Sequence, residues 1–303
     1  MCMEKITVLT SLYNCELFLE SYFQELSQLE HKEQLKVLLL HNAPTPQELA
    51  IIEKQLPKYS FIQHIIIPNR ESLYATWNRG VKLATSDYIA IWNVDDIRTP
   101  DSLYRQSVLL DNNPEVAMTY GDCIETEKYG DSIGRLCAEP EFSYQNSAFY
   151  RNHHIGCFPM WRRSIHKSIG YFDEQFRLVA DLDFQIRVVR QFPIKKCEGN
   201  MGFFLNEGST KLSSNRFCQK LEYTMLMMRY GGYDLLDLLY LRPGKKVINY
   251  KVIYYDNKYH KIEDIFPNYK SFIDERKKLY LLTIWKQPRF LLAYIKHVIL
   301  KIN

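Results

Sequence analysis

Apolar runs with the length and composition of β-strands alternate with stretches of helical spacing through the first hundred residues. This alternation constrains the fold more than any other feature of the chain. Ile6–Leu12, Leu35–Leu40, Phe61–Ile67 and Tyr88–Trp92 are short, rich in aliphatic and β-branched residues, and bounded by polar or turn-forming positions. After the first run, a helix opening at Tyr13-Asn14 carries Phe18, Tyr22, Leu26 and Leu29 on one face. The next helix runs from about Pro46 to Leu56, and Leu73, Thr76, Trp77, Gly80, Val81 and Ala84 mark a third over Leu73–Ala84. Strand and helix in turn, with short connections, predict an α/β fold with a mostly parallel sheet and helices on both faces. Such sheets bind ligands beyond the carboxyl ends of their strands.

The fourth run stops at two adjacent carboxylates, Asp95 and Asp96. Behind them, Thr99-Pro100-Asp101-Ser102 predicts a helix start with Thr99 as N-cap and Pro100 at the first helical position. Paired carboxylates at a strand end suit a hard cation such as Mg²⁺ or Mn²⁺, which takes one or two of them together with substrate phosphates. They are also common turn chemistry. Val116–Tyr120 is a further strand, and the polar stretch 121–150 is too long for an ordinary connection, which marks it as functional or mobile. A helix beginning near Ala180 turns Leu182, Ile186, Val189 and Phe192 to the core and pairs Asp183 with Arg187 on its outer side. Asp181 stands in its first turn, where the dipole favours an ionised carboxylate. Trp161 suits a ligand platform or a core indole, Arg162 and Arg163 suit an anionic group or solvent, and His153 and His154, without zinc spacing, suit a loop.

Seven cysteines without a CxxC pair, and a start at Met1–Lys5 that leads directly into a strand, predict a cytoplasmic setting with free thiols. No apolar run reaches the length of a membrane span. The formal charge of +4 is mild but unevenly placed, since no acidic residue follows Asp274-Glu275. There, Leu, Tyr and Trp alternate with Lys and Arg over 276–296, interrupted at Pro288. That composition suits a helix pair lying in an anionic membrane interface, at the inner face of the plasma membrane, or one packed on its own domain or on a second copy in a homo-oligomer. No recognised nucleic-acid module accompanies the charge, so no nucleic-acid partner is expected.

Taken in order, several pieces resemble family 2 glycosyltransferases of the GT-A fold. They are Thr10-Ser11-Leu12-Tyr13-Asn14, Asn78-Arg79-Gly80, Asp87-Tyr88-Ile89-Ala90 with Asp95-Asp96, Arg162-Arg163-Ser164, Gly170-Tyr171-Phe172-Asp173-Glu174, Ala180-Asp181-Leu182-Asp183 and Glu207-Gly208-Ser209. The series spans a GT-A domain over residues 1–215, leaving 216–303 as a mainly helical appendage. The resemblance implies inverting transfer of a sugar from a nucleotide-sugar donor to a glycan or lipid-linked acceptor in surface polysaccharide synthesis, with Mn²⁺ or Mg²⁺. It implies that Thr10, Tyr13, Asn42, Asn78 and Asp95 bind the donor. Asp95, of the DxD-type motif, with Asp96 and Asn206, would hold the cation, and Asp181 would be the catalytic base. The chain departs from the pattern at Asn42 and Asn93, where Asp is frequent, at Asn206, where many relatives have a metal-binding His, and at Trp77, where Arg is frequent. Those departures also suit a non-catalytic nucleotide- or glycan-binding relative. A nucleotidyltransferase or dinucleotide enzyme would need a glycine-rich loop after the first strand, and Ser11–Asn14 contains no glycine.

Overall fold

The computed structural model describes residues 4–206 without interruption and, beyond them, a short hairpin and single positions. Two compact units divide the chain, one formed by residues 1–174 and 180–211, the other by 175–179 and 212–303. The first unit is a mixed α/β layer structure of the expected class. Its elements are β1 (Ile6–Leu12), α1 (Glu16–Gln28), β2 (Leu35–Asn42), α2 (Pro46–Gln55), β3 (Ile62–Ile67), α3 (Leu73–Leu83), β4 (Tyr88–Ile91), β5 (Ile97–Arg98), α4 (Ser102–Asp111), β6 (Met118–Thr126), β7 (Arg135–Cys137), β8 (Met160–Arg162), α5 (His166–Ile169), α6 (Ala180–Val189) and β9 (Ile194–Leu205).

The sheet order is β3-β2-β1-β4-β8-β6-β9-β5, with β7 added on β6. β1 to β4 pair in parallel, as expected. The other half is mixed, because β8 runs antiparallel between β4 and β6, and β5 antiparallel on β9. The sheet is nonetheless mostly parallel, as expected, because β6 and β9 pair in parallel over a long ladder and only the short β5, β7 and β8 run against the rest. Alternation along the strands decides which helix covers which face. Ile6 and Val8 of β1, Val37 and Leu39 of β2 and Ala90 of β4 share a buried cluster with Leu19, Tyr22, Phe23 and Leu26 of α1 and Ile52 of α2. The opposite face meets α3 at Gly80, where an added Cβ would lie 2.7 Å from Leu40 Cδ1 and 2.8 Å from Leu9 Cδ2. Glycine there lets the helix lie close against the sheet.

Local chemistry explains the boundaries. α2 starts at a capping box, with Thr45 accepting from the Glu48 amide and Glu48 returning a bond to the Thr45 amide. α1 begins at Glu16 instead of Tyr13, because Asn14 takes a left-handed turn at φ 47° and leaves Tyr13-Asn14 in the loop. α4 begins at Ser102, not at Pro100. Thr99 does not cap it; its hydroxyl instead donates to the Asn200 carbonyl and ties this turn to β9. The Asp183–Arg187 pair forms, but Asp183 is fully buried, not outward.

In the second unit, Glu222 accepts bonds from the amides of Arg177 and Leu178, and β10 (Val252–Tyr255) and β11 (Lys258–Lys261) form an antiparallel hairpin in a region expected to be mainly helical. Glu207-Gly208-Ser209 lies outside the described residues. So does the helix pair expected over 276–296, apart from single positions. No helix among the described residues is long and apolar enough to cross a membrane.

Candidate active site

Strand direction gathers the candidate residues at one edge. β6 runs antiparallel to β8, which runs antiparallel to β4, so β4, β6 and β9 share one direction with β1 and β2. Their carboxyl ends carry Asp95-Asp96, Glu125 and Asn206. α6 leads back into β9 through a short connection, with Phe184 packed on Trp161 and Arg187 bonded to the Ile169 carbonyl nearer its end. Its first turn, with Asp181, therefore points toward the same edge.

Asp96 is 1% exposed, and both of its oxygens are engaged. Asn93 Nδ2 donates to Oδ2 at 3.0 Å and the Leu205 amide to Oδ1 at 3.3 Å, while Trp92 Nε1 binds its carbonyl at 2.8 Å. This carboxylate joins the β4 loop to the end of β9. The next residue there, Asn206, donates its side-chain amide to Glu125 and its backbone amide to the Thr126 carbonyl at 2.7 Å. Asp95 is half-buried beside them. Tyr129 lies close enough that Asp95, Asp96 and Glu25 add to the effect of burial in pushing its phenol up, and its buried hydroxyl has no hydrogen-bond partner among the described residues. Among the described residues no three His, Cys, Asp or Glu side chains form a metal cluster. With Asp96 and Asn206 bonded within the protein, a cation here would have to draw further ligands from a bound group such as a diphosphate, not from a cage of protein side chains.

The residues expected to bind the donor fall into two groups. Thr10 is fully buried, its hydroxyl 2.6 Å from Tyr22 OH under α1. Asn42 donates to Thr76 Oγ1 at 2.8 Å and accepts from the Glu71 amide at 3.1 Å, which ties the β2 end to the start of α3. Asn78 accepts from the Phe172 amide at 2.9 Å and donates to the Phe172 carbonyl at 2.9 Å and to Glu174 at 2.8 Å. Two of the motifs thus lock onto each other. These three side chains brace the loops from within. Tyr13, by contrast, is 37% exposed, with the Arg70 guanidinium stacked 4.0 Å from its ring centroid.

On the far side, Asp181 Oδ1 accepts from the Leu182 amide at 2.8 Å. Oδ2 lies 3.6 Å from His153 Nε2, and both side chains are about one-third exposed. His153 is held by its neighbours. His154 Nδ1 meets Glu139 at 2.9 Å, the Glu139 amide donates to Asp122 at 2.7 Å, and buried Gln185 of α6 accepts from the amides of His154 and Ile155 while donating to the carbonyls of Phe149 and Asn152. Sequence reasoning passed over Gln185, Glu125 and Tyr129. Gln185 does break the apolar run of α6, and a buried amide there must serve several backbone groups. Arg162, half-buried, donates to the carbonyls of Leu110, Asn113 and Val116, and Arg163, exposed to solvent, donates to that of Ser86. Trp161 is core, 1% exposed, with Nε1 donating to His166 Nε2 at 2.9 Å.

Known proteins match this architecture. A glycosyltransferase of Methanocaldococcus jannaschii, described as uncharacterized, is 25% identical over 189 residues, 61% of this chain, and the match spans 64% of that relative's length. Two solved structures share the fold. Staphylococcus aureus TarS 1–349 in complex with UDP-GlcNAc has a TM-score of 0.61 and 16% identity, over 74% of this chain and 65% of that one. The mannosyltransferase PcManGT from Pyrobaculum calidifontis, in complex with GDP-Man and Mn²⁺, has a TM-score of 0.52 and 12% identity, over 97% of this chain and 75% of that one. The family model for glycosyl transferase family 2 matches residues 7–170, from β1 through Asp95 to the turn that Asn78 secures, and the chain belongs to that family.

Proposed function

We propose that the protein is an inverting glycosyltransferase that moves a sugar from a nucleoside-diphosphate donor to a hydroxyl of a glycan or lipid-linked acceptor, in the synthesis of a surface polysaccharide. The observation that carries this reading is the Asp181 carboxylate, one-third exposed beside His153, at the start of a helix whose return into β9 sets that start toward the strand ends that carry Asp95. Sugar transfer needs two separated carboxylates. One neutralises a leaving diphosphate through a cation, and the other takes the proton of the attacking hydroxyl. Asp95 suits the first role and Asp181 the second. A single base opposite the leaving group inverts the anomeric centre. Mn²⁺ or Mg²⁺ bound at Asp95 supplies Lewis-acid stabilisation of the departing diphosphate. Tyr129, its hydroxyl unpartnered among the described residues, supplies a hydrogen bond to a phosphate oxygen, and Tyr13 a stacking face for the base. The neighbours in complex with UDP-GlcNAc and with GDP-Man and Mn²⁺ support this donor class. In this reading the catalytic domain ends near residue 215, and the basic, aromatic tail beyond it serves a membrane surface or a second copy.

The test is a panel of UDP- and GDP-sugars assayed with Mn²⁺, Mg²⁺ or chelator. Asp95→Asn should lose the metal-dependent part of donor binding, and Asp181→Asn should bind donor yet fail to transfer. A donor that binds without metal, and transfer undiminished in Asp181→Asn, would overturn the assignment. A second reading, a non-catalytic nucleotide- or glycan-binding relative, draws on the commitment of Asp96 and Asn206 to internal bonds. Calorimetry separates the two, because metal-independent binding without turnover belongs to the second.

A further inference from the structure

Three cysteines from separate segments meet on β6: Cys123 on the strand itself, Cys137 on β7, and Cys157 just before β8. Cys157 and Cys137 both lie close to Cys123, Cys137 Sγ also donates to Glu125 Oε2 at 3.7 Å, and all five described cysteines are free thiols. Cys197 and Met201 of β9, with Phe158, close the buried side of the group. Cys123 and Cys137 are register partners in the antiparallel β6–β7 ladder. Such partners have Cα atoms about 4.5–5.5 Å apart, inside the range of about 4.4–6.8 Å that a disulfide spans. Two residues along on the same face, Glu125 and Arg135 form an ion pair, which sets a guanidinium beside the thiols. β6 also shifts register against β9 on both sides of Asp122, up to Ile124, with the extra residues on β9, so Cys123 lies opposite an irregular stretch of that strand.

We propose that Cys123 and Cys137 are a reversible modification site, forming a disulfide on exposure to a peroxide and thereby fastening the 127–157 excursion to the sheet. The two neighbouring thiols hold Cys123 below the usual thiol range against the effect of burial, whereas burial pushes Cys137 up to about 11. Cys123 is assigned the first attack on its position, since it pairs with Cys137 across the ladder and has Cys157 beside it, and those two half-buried residues form the approach to it. The thiolate attacks a peroxide oxygen, so that an S–O bond forms, the O–O bond breaks and hydroxide leaves. Cys137 then attacks the sulfenic sulfur, the S–S bond forms and water leaves. Two thiols and one hydrogen peroxide give one disulfide and two waters, and the two sulfurs supply the two electrons. The consequence reaches the segment beside Asp181. Two residues past Cys137, Glu139 is anchored to Asp122 and holds His154, the neighbour of His153. The proposal does not depend on sugar transfer.

The full chain is treated with a small excess of hydrogen peroxide, remaining thiols are alkylated, and peptides are mapped without reduction. The expected result is a Cys123–Cys137 linkage that dithiothreitol reverses. It should be absent in Cys123→Ser and Cys137→Ser, and present but several-fold slower to form in Cys157→Ser. Closing a loop of about 15 residues should also slow protease cleavage within 127–157 by about tenfold or more in the oxidised protein. Thiols that stay alkylatable, a bond that joins Cys123 to Cys157 instead, or a Cys123–Cys137 bond that leaves the cleavage rate unchanged would each overturn the proposal.

Discussion

The two halves of the sheet spend their polar groups differently. In the parallel half, β1 to β4 with α1 to α3, the buried polar side chains serve the chain itself: Asn42 holds Thr76 and the Glu71 amide, Asn78 holds Phe172 and Glu174, and Glu48 holds Thr45, Cys15 and His41. In the mixed half, β6 to β9 with α6, the paired acids and histidines stand partly open to solvent, as at Asp181–His153 and Glu139–His154, on a long excursion secured by Gln185. A bracing group is satisfied before any ligand arrives, whereas a reacting group must keep a lone pair accessible. The parallel half is accordingly built as a fixed seat, and the mixed half leaves acid–histidine pairs within reach of solvent.

The largest expected effect probes that division directly. Asp181→Asn should lower transfer by about a thousandfold, within the range for loss of a general base, while donor affinity measured by calorimetry stays within about twofold. In the parallel half the same kind of substitution should act on stability. Asn78→Ala strands the buried Phe172 amide and carbonyl, costing about 3 kcal/mol in urea unfolding. If Asn78→Ala instead left stability intact and abolished donor binding, the residue would be a ligand contact, and the contrast between the halves would fail.

The parallel half was also the more legible one. Its strands bury aliphatic residues on both faces and its helices carry regular stripes, so pattern alone places β1 to β4 and α1 to α3 within a few residues. β5 and β7 are two and three residues long and exist only because β9 and β6 offer them a ladder, which no local pattern encodes. β9 runs twelve residues through Lys195, Lys196 and Glu198, polar positions that hide its strand character. At the site, Asp95 and Asp181 stood out through their neighbours in sequence. The bonds that commit Thr10, Asn42 and Asn78 to the interior link residues 12 to 96 positions apart, and only the folded chain brings them together.

Acid should open the parallel half first. His41 Nδ1 lies 3.0 Å from His64 Nε2, and His41 Nε2 lies 3.3 Å from Glu48, inside the β1–β3 layer. Burial, and for His64 the neighbouring His41, lowers both imidazoles, His64 to about 4. For Glu48 burial acts upward, but the amides of Thr45 and Cys15 outweigh it and lower the carboxyl to about 2. An unfolded histidine takes its proton near pH 6.5, so between about 6.5 and 4 the unfolded chain binds more protons and stability falls as the pH drops. Below about 4.5 the loss of Glu48's advantage adds to it. Discounted for partial exposure, the histidine window is worth about 2 kcal/mol, and His64→Gln should flatten it. Hydrogen exchange at pH 5 should show protection falling first among the β1–β3 amides. Earlier loss in β6 and β9 would reverse the ranking of the two halves.

The smallest expected effect falls on the one exposed residue of the parallel half that was expected to bind donor. Tyr13 is stacked by Arg70, a contact worth about 0.5–1 kcal/mol at an exposed site, so Tyr13→Ala should change stability little. If the ring is a stacking face for a nucleobase, its loss should weaken donor binding by about 1 kcal/mol, roughly fivefold, whatever base the donor carries. Arg70→Ala uncovers the face that a base would use and removes the group that fixes the ring. These effects oppose each other, so donor affinity should move by less than about twofold. Stability loss without affinity loss in Tyr13→Ala would return Tyr13 to the bracing residues, and the parallel half would then hold no donor contact at its open edge beyond the Asp95 loop.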